Sequence, residues 1–125
     1  MKVEASYLLT PDHVFQLHPM IRWAALSTTS GSVVFSQMRE GVESYTPNSE
    51  DRAFMELGTV LMSGVAERLT PEGKAGKLEC VIACFERDYV LLARVKDGHL
   101  ALSMDKPHAL TVFQEIMPEI VKLAA

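Results

Sequence analysis

Both cysteines of the chain fall in one five-residue stretch, Cys80-Val-Ile-Ala-Cys84. Two thiols this close raise metal and redox chemistry first. A structural zinc site wants four ligands, often from two close cysteine pairs or from a pair plus histidines. No second pair follows here, and His13, His18, His99 and His108 are scattered. His13 and His18 are five residues apart, the wrong spacing for one helical face, and no HEXXH pattern occurs. A thioredoxin-like pair has two intervening residues, whereas this one has three. The surrounding "LECVIACF" is short, β-branched and aromatic, with charged ends, which predicts a strand. In a strand both thiols share a face with Leu78 and Ile82. At ~3.3 Å per residue they lie ~13 Å apart, beyond the ~7 Å between Cα atoms that a disulfide spans. The expectation is two buried thiols packing as small apolar side chains, with no metal.

Other candidate groups carry less. "DKPH" at 105–108 puts Asp105 three residues before His108, but no nucleophile accompanies them, and Asp105 reads as a helix cap. Glu115 and Glu119 are one helical turn apart; paired carboxylates can do acid–base work, yet a solvated helix face accounts for them. Arg39 and Glu40 follow a strand and precede a loop, a place where functional groups often sit; a turn at Gly41 is the plainer reading. No phosphate loop and no GXSXG elbow occurs. Trp23 beside Arg22 is either a core residue or an interface anchor, since both types are enriched at hot spots. Met55, Met62, Met104 and Met117 sit on apolar faces, where methionine packs adaptably and also serves partners. The chain therefore predicts no catalytic, cofactor-binding or metal residues. Its candidate interface residues are Trp23, Met55 and Met62.

Composition supports that reading. The 125 residues suggest one domain over 1–125, large enough to bury a core without disulfides or metal. Apolar residues make up 48% and charged residues 22%, with net charge −4 and the two signs interspersed. Without a Lys/Arg block or basic–aromatic interleaving, nucleic-acid binding has no electrostatic support. No run approaches the ~20 apolar residues of a membrane span and the N-terminus lacks a signal-peptide core, so a soluble, cytoplasmic protein is expected.

The elements that must position these residues follow in order. Thr10 can cap a helix over 10–19 with Pro11 in its first turn. Residues 21–27 and 32–38 read as a hairpin, with Gly31 of "TTSG" supplying positive φ in the turn. A long helix over 49–69 carries Phe54, Gly58, Leu61, Val65 and Leu69 at helical spacing, widened by Met55 and Met62. Glycine costs ~1 kcal/mol inside a helix; Gly58 is expected to face a sheet at a close contact, and Gly64 to lie nearer solvent. Strands follow at 77–86, 89–95 and 99–104. A final helix over 107–123 buries Ala109, Phe113, Ile116, Met117 and Ile120, with a kink or break expected at Pro118. Sequential strands tend to pair, so the economical fold is α+β: one five-stranded antiparallel sheet, the long helix crossing one face between strands two and three, and the terminal helices on the same face or the other.

That order resembles the roadblock/LC7 superfamily, through the hairpin "IRWAALSTTSGSVVFSQ", the helix "AFMELGTVLMSGVAERL" and the meander "VIACFERDYVLLARVKDGHLALSM". Profilin-like and longin-like sheets share much of this pattern. More locally, "LHPMIRWAALSTTSGSVVFSQMREGV" and "GKLECVIACFERDYVLLARVKDGHLALSM" resemble a group of small archaeal proteins of uncharacterised function; His18 stands where their opening segment has Asp, and "ARV" where their middle segment has Pro-Leu. The likeness spans residues 12–122 and brings no catalytic residues. It implies a homodimer that regulates or scaffolds a small GTPase, a non-enzymatic signalling module. The rival from another class is a small-ligand sensor with a pocket between sheet and helices. A third is an enzyme built on His99, Asp105 and His108.

Overall fold

The computed structural model describes residues 9–44, 55, 56, 58, 60–65, 78–96 and 98–123. Helix α1 spans Pro11–Phe15. Thr10 caps it through a capping box: its hydroxyl accepts from the His13 N–H, and the His13 side chain accepts from the Thr10 N–H. The helix stops short of Pro19 and buries Val14.

Strands β1 (Trp23–Ser27) and β2 (Val33–Met38) form the expected antiparallel hairpin, and Gly31 has φ 96° in its turn. A bulge falls between Leu26 and Ser27. Strands β3 (Cys80–Cys84), β4 (Asp88–Val95) and β5 (Gly98–Asp105) form an antiparallel meander. The sheet is five-stranded, in the order β2-β1-β5-β4-β3. Sequential pairing therefore fails at one place: β1 pairs with β5, and β2 and β3 become opposite edges. The connection between them carries a helix across the face, so it can cross from one edge to the other while β1 and β5 meet in the middle.

Met55, Glu56 and Gly58 are helical, and Val60–Val65 continues as a π-helical segment rather than a plain α-helix. The remaining residues of the expected 49–69 helix, Phe54 and Leu69 among them, lie outside the described residues, as do the surroundings of Gly64. Helix α2 (Lys106–Leu123) passes through Pro118 unbroken. Pro118 and Gln114 are both exposed, so water can satisfy the carbonyl that the proline leaves without a donor.

Strand alternation sorts the core into two layers. Ala24, Leu26, Leu91, Ala93, Val95, Leu100, Leu102 and Met104 pack under Val14 of α1 and under Ala109, Val112, Phe113, Ile116 and Ile120 of α2. Both terminal helices thus cover one face. Trp23, Ala25, Val90, Leu92 and Ala101 turn the other way and pack with Met55. Gly58 sits on that second face: a Cβ there would meet Leu92 Cδ2 at 3.0 Å and Cδ1 at 3.1 Å. The missing side chain is what lets the helix backbone come down onto β4.

Candidate interaction surface

The three central strands are buried nearly throughout, so the exposed apolar groups lie at the periphery. Edge strand β3, "CVIAC", has no charged residue, and neither has edge strand β2, "VVFSQM". Natural edges are usually guarded by charge, proline or bulges, because their unpaired N–H and C=O groups template further pairing. On β3 Ile82 is 41% exposed and the following Phe85 46%. Val60 on the π-helical segment and Leu110 and Val121 on α2 are also exposed.

Trp23, Met55 and Met62 are 6%, 1% and 0% exposed, and Trp23 and Met55 pack together on the sheet face that the crossing helix covers. The Trp23 indole Nε1–H donates to Ser36 Oγ at 3.0 Å across the hairpin, which satisfies its one polar atom. Met62 is tied from below: Arg94 Nη2 donates to its carbonyl at 3.2 Å.

The cysteines need a correction. The strand is as expected, but Cys84 is exposed and Cys80 only half-buried, and both are free thiols. Their face of β3 points toward the side covered by α2, and α2 packs over β4 and β5, leaving the edge strand uncovered. Partial burial, helped by Glu79, pushes the Cys80 thiol pKa up, away from reactive thiolate. No group of three or more metal-ligating side chains occurs among the described residues.

The groups of the enzyme reading are not brought together. His99 and Asp105 lie near opposite ends of β5, about 20 Å apart at ~3.4 Å per residue, and His108 is exposed on α2. Asp105 Oδ2 faces Arg22 Nη1 at 3.5 Å. Its register neighbour Asp88 has a raised pKa, chiefly from burial; the Arg22 charge opposes that rise and Asp105 adds to it. Glu115 and Glu119 are both exposed and turn to different partners, His18 at 3.7 Å and Lys122 at 3.0 Å.

Arg39 has a structural task that its position after a strand did not disclose. Its guanidinium donates to the carbonyls of Ile21 at 2.7 Å, Phe15 at 2.9 Å and His18 at 2.8 Å. It also lies over the Phe15 ring, 4.9 Å from the centroid. One side chain thereby fastens α1 and the turn after it to the hairpin.

A second feature is invisible along the chain. Ser27, His99 and Arg94 occupy one row across β1, β5 and β4, with Ser27 opposite His99 and His99 opposite Arg94. Paired residues point to the same face, here the face under the crossing helix. Ser27 is fully buried and His99 3% exposed, and Ser27 Oγ, His99 Nδ1 and Arg94 Nε have no hydrogen-bond partner among the described residues. Burial, and then the Arg94 charge, push the His99 pKa down. The signal in the sequence is a polar residue at an inward position of each strand, visible only once the pairing is known.

No protein-family model matches the chain, and no curated protein matches it. Solved structures do. A roadblock/LC7 domain from Streptomyces avermitilis superposes with TM-score 0.63 at 15% identity, over 89% of this chain and 88% of that one. The gliding protein MglB from Thermus thermophilus gives 0.63 at 14% identity, over 90% and 84%. A structure described as MglB with tetrameric arrangement gives 0.63 at 14%, over 90% and 83%. At these identities the likeness is one of fold, and the fold of this chain is roadblock/LC7-like. No described helix is long and apolar enough to cross a membrane.

Proposed function

We propose that this chain is a non-enzymatic interaction and regulatory module that works as a homodimer, forming one domain over residues 1–125. The observation that carries the reading is edge strand β3: uncharged, with exposed Ile82 at its centre and exposed Phe85 just after it, and with no further strand paired to it among the described residues. An isologous contact between two copies is the commonest solution for such a surface. Two β3 strands side by side would satisfy each other's edge groups and cover Ile82. Trp23, Met55 and Met62, the interface residues expected from the sequence, are buried in the protomer; in this reading they act from behind the surface, by setting how the crossing helix rests on the sheet. The tetrameric arrangement of an MglB structure with the same fold supports association as a working mode.

The partner class proposed is a small GTPase, and the cellular site the cytoplasm. The partner class rests on the sequence resemblance to the roadblock/LC7 superfamily, the cellular site on the expectation drawn from the sequence, and a kinship with small archaeal proteins on the local likeness of residues 17–42 and 76–104. The test is sedimentation velocity across the micromolar range. The wild type should run at twice the 13.9 kDa chain mass. Ile82→Lys, which places a charge in the edge, should shift it to monomer. A wild-type protein that stays monomeric throughout would remove the dimer. Titration with purified small GTPases in GDP- and GTP-loaded forms tests the partner; equal failure of both forms would remove that half.

A further inference from the structure

The row of buried Ser27 and His99 with half-buried Arg94, whose Nε is buried, is separate from the edge that carries the dimer, and it stands whether or not the chain pairs. A buried donor or acceptor without a partner is costly, and native structures hold few of them. Here three occur on adjacent strands, in register, on one face.

We propose that Ser27, His99 and Arg94 form a binding site for a small oxyanion, a carboxylate or phosphate group, with the π-helical segment Val60–Val65 at its Arg94 end. The donor chemistry selects the ligand. Arg94 Nε–H can only donate, and the guanidinium carries a full charge. Among the described residues no carboxylate pairs with it; its one side-chain hydrogen bond there goes from Nη2 to the Met62 carbonyl. Ser27 can donate through its hydroxyl, and the imidazole through Nδ1–H in the matching tautomer. A complement to these groups must accept from several directions and carry negative charge. One water accepts about two hydrogen bonds and brings no charge. The row spans two strand spacings, about 10 Å between the outer Cα atoms, with His99 in the middle. A group with two or more oxygens, lying over the imidazole, suits that span with the long Arg94 side chain reaching in from one side.

The π-helical segment at the Arg94 end of the row is a second observation. π-helical turns are rare and occur frequently at functional sites. This one has Met62 in its middle, and Arg94 holds that carbonyl from the sheet. Fixing Nη2 in this way leaves the Nε edge of the guanidinium as the part still to be satisfied. Burial, and then the Arg94 charge, lower the His99 pKa and favour the neutral ring, so it offers one N–H without adding a second positive charge beside Arg94.

Inorganic phosphate and acetate are the probes, each titrated into the full chain at constant ionic strength made up with chloride. Proton–nitrogen NMR follows Arg94 Nε–H and the His99 ring. Saturable shifts at both residues are expected, and the tighter of the two probes identifies the source, phosphate or carboxylate. Ser27→Ala removes one hydrogen bond to a charged group and should weaken binding about tenfold; Arg94→Gln should abolish it. Arg94→Gln also loses the tether to Met62, so Ser27→Ala, which removes a hydroxyl with no hydrogen-bond partner among the described residues, is the decisive variant. No saturable shift with either probe would overturn the proposal. So would shifts confined to surface residues, or unchanged affinity in Ser27→Ala.

Discussion

Gly58 and Leu92 form the contact on which the height of the crossing helix depends, and exchanging their sizes tests it. A Cβ on Gly58 would meet the two Leu92 methyls at 3.0 and 3.1 Å, tighter than ordinary van der Waals contact. Leu92 is 1% exposed and sits among Trp23, Ala25, Met55, Val90 and Ala101, with little room to move aside. Gly58→Leu gains ~0.8 kcal/mol in helix propensity but overpacks a close contact, which costs about 1–3 kcal/mol or more. With a whole isobutyl group added against buried methyls the upper end applies, and a net loss of ~2 kcal/mol is expected. Leu92→Ala alone removes buried methyls and leaves a cavity, a loss of about 2–5 kcal/mol. Together, the new leucine can occupy the space the old one vacates. The double variant should therefore be more stable than the sum of the two losses by at least ~1 kcal/mol, within the range seen for contacting residues. Urea unfolding followed by circular dichroism gives the four stabilities, with equal m-values as the condition for comparing them. Additive losses, or a neutral Gly58→Leu, would show that the helix does not rest on β4 through this glycine.

Arg39→Met removes the guanidinium that binds the Phe15, His18 and Ile21 carbonyls. Hydrogen bonds to charged groups are worth about 1.5–3 kcal/mol each, and water recovers part of them at this half-buried site, so a loss of ~2–4 kcal/mol in urea unfolding is expected. Arg39→Lys should recover little, because one ammonium cannot reproduce the fork. The pKa of His99 is lowered in the folded chain by burial and by Arg94, the charged group facing it, with Ser27 on its other side. The unfolded chain therefore takes up this proton first as pH falls. The stability contributed is complete above the unfolded pKa of ~6.5 and is lost below it, at no more than ~1.4 kcal/mol per pH unit. Unfolding midpoints between pH 7 and 5 should fall more steeply for the wild type than for His99→Gln; parallel curves would refute the assignment. Cys84, exposed, should react with a thiol reagent before Cys80, whose thiol is half-buried with a raised pKa; mass spectrometry of the singly labelled chain reads the order.

Elements whose cause is local could be read along the chain. The Thr10 cap with Pro11, the turn at Gly31, the strand character of "CVIAC" and the α2 stripe through Ala109, Phe113, Ile116 and Ile120 all depend on a residue and its near neighbours. So did the order of elements, and the close approach at Gly58, because a glycine in an otherwise apolar helical stripe marks where a backbone comes near. Tertiary structure decided what depends on distant partners. It paired β1 with β5, sent β2 and β3 to opposite edges, and so left Cys84 in the open while burying Trp23. Arg39 could be recognised as a fastening only when the carbonyls of Phe15, His18 and Ile21 had been folded around it. The row of Ser27, His99 and Arg94 has the same origin. More than half the chain separates the first from the other two in the sequence, and only strand pairing, which hydrogen-bonds backbone to backbone without regard to chain distance, sets them side by side.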